Sequence, residues 1–190
     1  TSENEYAYVY NSNYSSLIRT YLTKTINYTY NSSGQLTSEN EYAYVYNSNY
    51  SSLIRTYLTK TINYTYNSSG QLTSENEYAY VYNSNYSSLI NSYILKEITN
   101  TYNSDGQLTQ VSNYTSAVSS SGALLKFYEY ERVKYTYDSS GNTTKISTYE
   151  ALYNAASNTV GSLYEAARIE NTYNSDGQLT QVSNYTSAVS

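Results

Sequence analysis

The chain has 190 residues and a net charge of −5, and it is rich in Tyr, Ser, Thr and Asn, with 30 Tyr and no His, Cys, Met, Pro or Trp. Without Cys there is no disulfide or thiolate chemistry, and without His there is no imidazole base and no ordinary zinc site. With only 10 Lys and Arg, the chain is not expected to bind nucleic acid, and no apolar run is long enough to predict a membrane span.

The sequence is periodic from its first residue. Residues 1–36 recur letter for letter as residues 37–72, residues 73–90 repeat residues 1–18, and residues 100–119 recur as residues 171–190. Such repetition predicts small units that each lean on their neighbours rather than one globule with a central core. We therefore interpret residues 1–190 as a single tandem array of about five repeats, and we expect it to be a piece of a longer exported protein.

A turn motif, Tyr-Asn-Ser-Ser-Gly-Gln-Leu or a close variant, recurs with its glycines spaced by 36, 36, 35 and 36 residues. Asn or Asp at the start of a turn bonds its own backbone, and Gly then takes the left-handed conformation that closes a bulged hairpin. The motif predicts hairpin turns at residues 31–35, 67–71, 103–107, 138–142 and 174–178. The predicted turn residues are Asn31, Gly34, Asn67, Gly70, Asn103, Gly106, Asp138, Gly141, Asn174 and Gly177.

On both sides of this turn the side chains alternate with the period of a strand that has one buried and one wetter face. A loop that places Tyr30 opposite Leu36 predicts that Ile26 and Tyr42 lie on the same, inward face. Glu39 and Glu41 are predicted on the wetter face. The predicted core positions are Ile26, Tyr30, Leu36, Tyr42, Tyr44, Tyr46, Ile62, Leu72, Tyr78, Ile98, Tyr114, Val133, Tyr149, Ile169 and Tyr185.

A second turn of undefined type is predicted near residues 47–52, so that each repeat has two strands of about 12–15 residues, longer than most globular strands. Residues 150–168 contain alanine-rich segments with helical propensity, but the repeat register runs through them and favours strand and loop. The predicted fold class is all-β: a tandem array of antiparallel hairpins forming an elongated sheet, ribbon or solenoid-like fibre. The repeats are compatible with a flat meander and with helical coiling.

The turn segments resemble the YD-repeat (RHS-like) family of bacterial surface and secreted proteins. The resemblance lies in Tyr135-Thr-Tyr-Asp-Ser-Ser-Gly-Asn-Thr-Thr and Tyr28-Thr-Tyr-Asn-Ser-Ser-Gly-Gln-Leu-Thr. The family signature is Tyr-Asp, two variable residues and Gly; here Asn mostly replaces Asp, and the spacing is longer than usual for the family. The resemblance implies exported, repetitive β-structure used as a shell, stalk or adhesin, and it carries over no catalytic residue.

Three more specific functions are each less favoured by the sequence than a simpler interpretation. The rings of Tyr42, Tyr44 and Tyr46 are of a kind that stacks on sugars, but core packing is the favoured interpretation. Residues 101–106 resemble a calcium loop that lacks its first acid, so a plain turn is predicted. Glu39 and Glu41 form a carboxylate pair that recurs in identical copies, which is not typical of a unique active site. No enzyme activity, cofactor or metal is expected.

The sequence thus predicts a structural extracellular or cell-surface protein, a self-associating fibre, filament or stalk such as a biofilm matrix component. Its expected partners are other copies of itself, because nothing in the sequence caps the end strands. The tyrosine-rich face is expected to be covered by folding back or by a partner chain. The alternatives are an adhesin module that binds cell-surface glycans, and a YD-type shell segment around a cargo domain.

Overall fold

The computed structural model describes residues 1–187, and all their regular structure is β-strand. No helix with the length and hydropathy needed to traverse a lipid bilayer occurs within residues 1–187. The strands are β1 (Ser2–Tyr10), β2 (Leu17–Tyr30), β3 (Leu36–Tyr46), β4 (Leu53–Tyr66), β5 (Leu72–Tyr82), β6 (Leu89–Tyr102), β7 (Leu108–Val118), β8 (Leu124–Tyr137), β9 (Thr143–Glu150), β10 (Tyr153–Asn154), β11 (Thr159–Val160), β12 (Tyr164–Tyr173) and β13 (Leu179–Thr186).

Eleven of these strands follow one another in a sheet in the order β1-β2-β3-β4-β5-β6-β7-β8-β9-β12-β13. The pairing is antiparallel, and neighbours in the sheet are neighbours in sequence, as in a chain of consecutive hairpins, except that β9 lies beside β12. The predicted all-β fold class is confirmed. Strands β10 and β11 form a separate two-stranded hairpin, so residues 150–168 are strand and loop, as predicted.

Long and short strands alternate along the sheet. β2, β4, β6 and β8 each have 14 residues, whereas β1 has 9 and β3 has 11. The predicted length of about 12–15 residues therefore holds for the long strands, whereas the short strands fall below it. The difference arises from bulges, which set two residues of the long strand against one of the short strand. Between β1 and β2, Glu5 pairs with Lys24 but Tyr6 pairs with Leu22, which leaves Thr23 as the additional residue.

A further bulge, beside the Gly turn, reverses the predicted faces of the hairpin. Thr29 pairs with Ser38 and Tyr30 pairs with Leu36, so Thr37 is the additional residue in β3. Tyr42 consequently pairs with Thr25. The prediction that Ile26 and Tyr42 share a face is wrong, because one additional residue moves every later side chain of a strand to the other face.

The two glutamates follow the same reversal. Ile26 pairs with Glu41, and Tyr28 pairs with Glu39. The prediction that Glu39 and Glu41 lie on the face opposite Ile26 is therefore also wrong.

The described chain divides into two compact units. The first contains Thr1–Thr65 and Asn76–Leu95, and therefore holds β1 to β3, nearly all of β4, and parts of β5 and β6. The second contains Tyr66–Glu75 and the chain from Lys96 onward. The three boundaries fall inside strands, at the end of β4 and within β5 and β6, rather than between repeats.

Neither unit has much of an apolar core, because a side chain in a single sheet is covered mainly by its strand neighbours. Ile62 and Ala151 are the buried hydrophobic residues of the described chain, and Thr25, Thr61, Ser112 and Ser147 are buried polar residues. Of the predicted core, the structure leaves Tyr30, Ile169 and Tyr185 exposed, which corrects those three positions. Tyr185 lies in β13, which pairs with β12 alone within residues 1–187. The remaining predicted core positions are half-buried: Ile26, Leu36, Tyr42, Tyr44, Tyr46, Leu72, Tyr78, Ile98, Tyr114, Val133 and Tyr149.

Candidate functional site in the contacts between hairpins

The Gly turn has one conformation throughout the described chain. In the first copy the Gly34 amide donates to the Asn31 carbonyl at 3.0 Å, and the Asn31 side-chain oxygen accepts from the amides of Ser33 and Gln35 at 3.0 Å each. The turn glycines are left-handed, with φ of 78°, 79°, 80°, 85° and 75° at Gly34, Gly70, Gly106, Gly141 and Gly177. The Asn or Asp that starts each of these turns is Asn31, Asn67, Asn103, Asp138 or Asn174.

In the second unit, glutamine side chains join successive Gly turns. The Gln71 amide nitrogen donates to the Gly106 carbonyl at 2.6 Å, and that of Gln107 donates to the Gly141 carbonyl at 3.2 Å. The fourth copy has Asn142 at the glutamine position, and its shorter side chain bonds Asp138 of its own turn at 3.0 Å. The space beside the next turn is accordingly empty, since a Cβ added at Gly177 would meet no atom within 4 Å. The glutamine therefore acts as a strut between turns, a role that the sequence reasoning missed.

The other turn of each hairpin places a tyrosine in the left-handed region. Tyr14, Tyr50 and Tyr86 each have φ of 55°, which is uncommon for a bulky side chain and costs backbone energy. Gly122, with φ of 78°, and Asn158, with φ of 52°, follow at the same spacing of 36 residues. This conformation was not predicted. The signal that could have found it is the appearance of Gly and Asn at that position in the diverged copies, since both tolerate it.

Each of these tyrosines after the first stacks on the preceding hairpin. The ring of Tyr50 lies 4.6 Å from that of Tyr21, and the ring of Tyr86 lies 4.6 Å from that of Tyr57. Tyr46 meets the edge of Tyr21 at 5.3 Å. Burial and then the neighbouring Tyr50 raise the pKa of the Tyr21 hydroxyl. Because stacked and edge-on pairs both contribute beyond their buried area, these rings hold successive hairpins together.

An arginine lies two residues before Tyr21 and before Tyr57. It bonds the turn whose tyrosine stacks on that same Tyr21 or Tyr57. The Arg19 guanidinium donates to the Asn49 carbonyl at 2.6 Å, and that of Arg55 donates to the Asn85 carbonyl. In the third copy Asn91 replaces this arginine, and the turn that follows carries Gly122 in place of the tyrosine. The Arg contact and the Tyr stack are thus lost together, which indicates that they act as one clamp.

Buried threonines complete the contacts across three strands. The Tyr44 hydroxyl donates to Thr25 at 2.8 Å, and Thr25 in turn donates to the side-chain oxygen of Asn4 at 2.7 Å. The next copy repeats the relay from Tyr80 through Thr61 to Asn40, at 2.9 and 2.8 Å. The relay satisfies a polar group that would otherwise be costly to bury.

The carboxylate pair of β3 is engaged by the neighbouring strand β4. Glu39 accepts from the Tyr64 hydroxyl at 2.7 Å, and Glu41 accepts from the Thr59 hydroxyl at 2.9 Å. Within residues 1–187 no three His, Cys, Asp or Glu side chains come together in a group that could hold a metal ion. In the calcium-like segment, the Asn103 side-chain oxygen accepts from the Asp105 amide at 3.1 Å, as at the other Gly turns.

No protein-family model and no curated protein matches the chain. Among solved structures, it is similar to a protein of unknown function from Bacteroides fragilis NCTC 9343, at 16% identity and a TM-score of 0.38 over 75% of this chain and 89% of that one. It is similar to TcdB2-TccC3-TEV at 18% identity and a TM-score of 0.34, over 87% of this chain but only 9% of that one. A DUF3836 family protein from Bacteroides vulgatus ATCC 8482 has 14% identity and a TM-score of 0.30, over 55% of this chain and 91% of that one.

Proposed function

We propose that this chain is a structural segment of an extracellular or cell-surface filament, fibre or stalk, in which the hairpin is the unit of length. The observation that carries the proposal is the recurrence of one clamp between successive hairpins, with Tyr21–Tyr50 and Tyr57–Tyr86 both at 4.6 Å. An interface that repeats in this way stabilises an array through nearest neighbours, whatever the number of repeats.

A second feature of the first unit supports association with another surface. Each long strand there begins with an exposed apolar pair, and the members of each pair are half exposed or more. Apolar side chains repeated in this way are typical of a surface that contacts another chain. The pairs, which we call the Leu-Ile stripe, are Leu17 and Ile18, Leu53 and Ile54, and Leu89 and Ile90.

Electron microscopy of the purified chain at neutral pH, before and after concentration, tests self-association. Filaments of uniform width are the expected result. Discrete particles that never associate at any concentration would contradict the self-associating form of the proposal.

Substitution of the Leu-Ile stripe then tests which surface is involved. A variant with Ile18, Ile54 and Ile90 each changed to Thr is expected to form fewer or shorter filaments. The matched control changes Ser12, Ser48 and Ser84 to Thr, at exposed turn positions, and is expected to assemble as the parent chain does.

A glycan-binding adhesin module is the second candidate. It is favoured by the exposed rings of Tyr6, Tyr8, Tyr10 and Tyr14, since sugars stack on aromatic faces. The half-buried Tyr42, Tyr44 and Tyr46 support the structural role instead. Saturable binding on a glycan array that Tyr8→Ala abolishes would favour the adhesin. Membership in the YD-repeat family, and the shell around a cargo domain, stay predictions that a longer sequence would test.

A further inference from the structure

Tyrosine is the one readily oxidised side chain of this sequence. There are 30 Tyr and no Cys, Met, Trp or His, the other side chains that common oxidants attack. An oxidant that removes single electrons therefore meets no thiol, thioether or indole that would react in place of a phenol. The aromatic positions also carry the hydroxyl almost without exception, since there is 1 Phe against the 30 Tyr.

Two pairs of phenols from successive hairpins lie face to face in the first unit. The ring centroids of Tyr21 and Tyr50 are 4.6 Å apart, and the ring planes make an angle of 23°. The ring centroids of Tyr57 and Tyr86 are also 4.6 Å apart, at 24°. The same arrangement thus occurs twice, in copies of the repeat that follow one another.

The hydroxyl ends of these stacked rings are close enough to affect each other. Burial, and then the neighbouring Tyr50 hydroxyl, raise the pKa of Tyr21. Burial, and then the neighbouring Tyr86 hydroxyl, raise the pKa of Tyr57. Each pair is therefore a pair of neutral phenols at neutral pH, and the ring carbons beside the two oxygens, the Cε atoms, belong to the ends of the rings that meet.

A further tyrosine lies beside each pair, but its ring is edge-on. Tyr46 lies 5.3 Å from Tyr21 with an angle of 69° between the rings, and Tyr82 has the same distance and angle to Tyr57. The unpaired electron of an oxidised phenol occupies an orbital perpendicular to the ring. Two such rings therefore form a bond when face meets face, which favours the stacked tyrosines over the edge-on ones.

One ring of each stacked pair is accessible to an oxidant in solution. Tyr50 and Tyr86 are 42% and 43% exposed, respectively, whereas Tyr21 and Tyr57 are half-buried. The exposed phenol meets the oxidant first, and its partner is held in place against it. Such positioning makes reaction within the pair faster than reaction with a phenol of another chain.

We infer that Tyr21–Tyr50 and Tyr57–Tyr86 are sites of oxidative cross-linking, at which a peroxidase using hydrogen peroxide joins successive hairpins through dityrosine. Each phenol loses one electron and one proton, and the two electrons and two protons reduce one peroxide to two waters. The resulting radicals form a carbon–carbon bond between one Cε of each ring. The proton on each of these carbons then moves, through solvent, to the oxygen of the same ring, which restores both phenols. Because the bond lies within one chain, the inference does not depend on filament formation.

Treatment of the whole 190-residue chain with a haem peroxidase and limiting hydrogen peroxide, in dilute solution at neutral pH, tests the inference. Trypsin then releases Tyr21 and Tyr57 each as the single tyrosine of a short peptide, residues 20–24 and 56–60. Tyr50 and Tyr86 lie in the peptides 25–55 and 61–96. Mass spectrometry is expected to find 20–24 joined to 25–55 and 56–60 joined to 61–96. Each product should be lighter by two hydrogen atoms than its two peptides, with fragmentation placing the bonds at Tyr50 and Tyr86.

Phenylalanine variants identify the reacting phenols, because Phe keeps a ring in place and lacks the hydroxyl. Tyr50→Phe is expected to reduce the cross-link to residues 20–24 by at least about tenfold, while the Tyr57–Tyr86 cross-link forms in the same molecule as before. Tyr46→Phe, which removes the edge-on phenol beside Tyr21, is the matched control and is expected to leave the cross-link to Tyr50 unchanged. The yield per chain is expected to stay constant on about tenfold dilution, as for an intramolecular reaction.

Four results would overturn the inference: cross-links that do not include Tyr50 and Tyr86, an unchanged cross-link to residues 20–24 in Tyr50→Phe, loss of that cross-link in Tyr46→Phe, or products that form only between chains and disappear on dilution. Filaments of chains whose stacked tyrosines do not couple would remove this inference and leave the proposed function standing. Coupling in chains that never assemble would do the reverse for the self-associating form of that proposal.

Discussion

Tyr50 lies in the left-handed region, with φ of 55°, and its ring stacks on Tyr21 of the preceding hairpin at 4.6 Å. The backbone conformation is unfavourable for a tyrosine, whereas the ring contact is favourable. The turn thus keeps a residue that strains the chain locally because that residue joins two hairpins. Tyr86 and Tyr57 have the same relationship.

This balance predicts opposite effects for one substitution at two identical turns. Tyr14→Gly is expected to raise the free energy of unfolding by about 1 kcal/mol, because strain is relieved where no preceding hairpin is stacked. Tyr50→Gly relieves the same strain but loses a stack of about 0.5–1.5 kcal/mol, so little or no gain is expected. Urea unfolding with comparison of m-values measures both. Equal gains at Tyr14 and Tyr50 would show that the stack contributes nothing.

The arginine and tyrosine of one clamp are expected to be coupled. In a double-mutant cycle, Arg55→Asn and Tyr86→Gly, which copy the natural Asn91 and Gly122, should show an interaction energy of about 0.5–1 kcal/mol. Combining Arg19→Asn with Tyr86→Gly, which belong to different clamps, provides the control and is expected to be additive. Additive effects within the Arg55 and Tyr86 pair would mean that the two contacts are independent.

The fourth Gly turn is expected to be sensitive to acid. Hydrogen bonds from the side chain and amide of Asn142 hold the pKa of Asp138 below its ordinary value of 3.8. Since the folded pKa lies below the unfolded one, the carboxylate stabilises the turn above about pH 3.8, and this stability is lost as pH falls through the folded pKa. Amide exchange at Gly141, measured between about pH 5 and pH 2 and corrected for intrinsic rates, should show that protection of this amide is lost as the carboxylate is protonated.

Asp138→Asn is the matched variant for that experiment, because the other Gly turns begin with Asn. Protection at Gly141 in this variant is expected not to change through the same range beyond what Gly106, in an Asn turn, shows. The same acid-dependent loss in Asp138→Asn would rule out the carboxylate as its source.

Glycine at the turn is expected to matter for conformation more than for space. Gly141 has φ of 85°, and a Cβ there would meet the Gln107 side chain at 3.1 Å, so Gly141→Ala is expected to cost about 1 kcal/mol or more. Gly34→Ala has the same backbone problem with nothing within 4 Å, so its loss isolates the strain. Gly161→Ala, where φ is not left-handed and the nearest atom is at 3.6 Å, should change unfolding by less than about 0.5 kcal/mol. Similar losses at Gly161 and Gly34 would contradict this account.

The sequence identified the Gly turn but not the left-handed tyrosine turn, because the two turns contain different residues. Asn31 and Gly34 carry a local signal, since Asn caps its own turn and Gly permits a left-handed backbone. Tyr50 carries none, because tyrosine is a strand-favouring residue that seldom adopts such a conformation. Its role depends on the ring of Tyr21, which lies in another hairpin and leaves no mark on the local sequence.

The faces of the strands were beyond a sequence-based prediction for a related reason. Alternation correctly indicated strands on both sides of Gly34, but the bulge at Thr37 moved Tyr42 to the face of Thr25 rather than that of Ile26. A bulge is a property of a strand pair, because it records which amide bonds which carbonyl across the gap. Residue parity within one strand carries no information about it.

The amino-acid sequence by itself determined the repeat, the all-β class, the Gly turns and the acidic and basic character of the alternating strands, since these follow from local conformational preference and composition. Only the tertiary structure decided the faces, the strained tyrosine turns, the glutamine struts and the clamp of Arg19 and Tyr21 on the next hairpin. Those features depend on cross-strand register and on contacts between residues about 30 positions apart, which are established only when the hairpins pair.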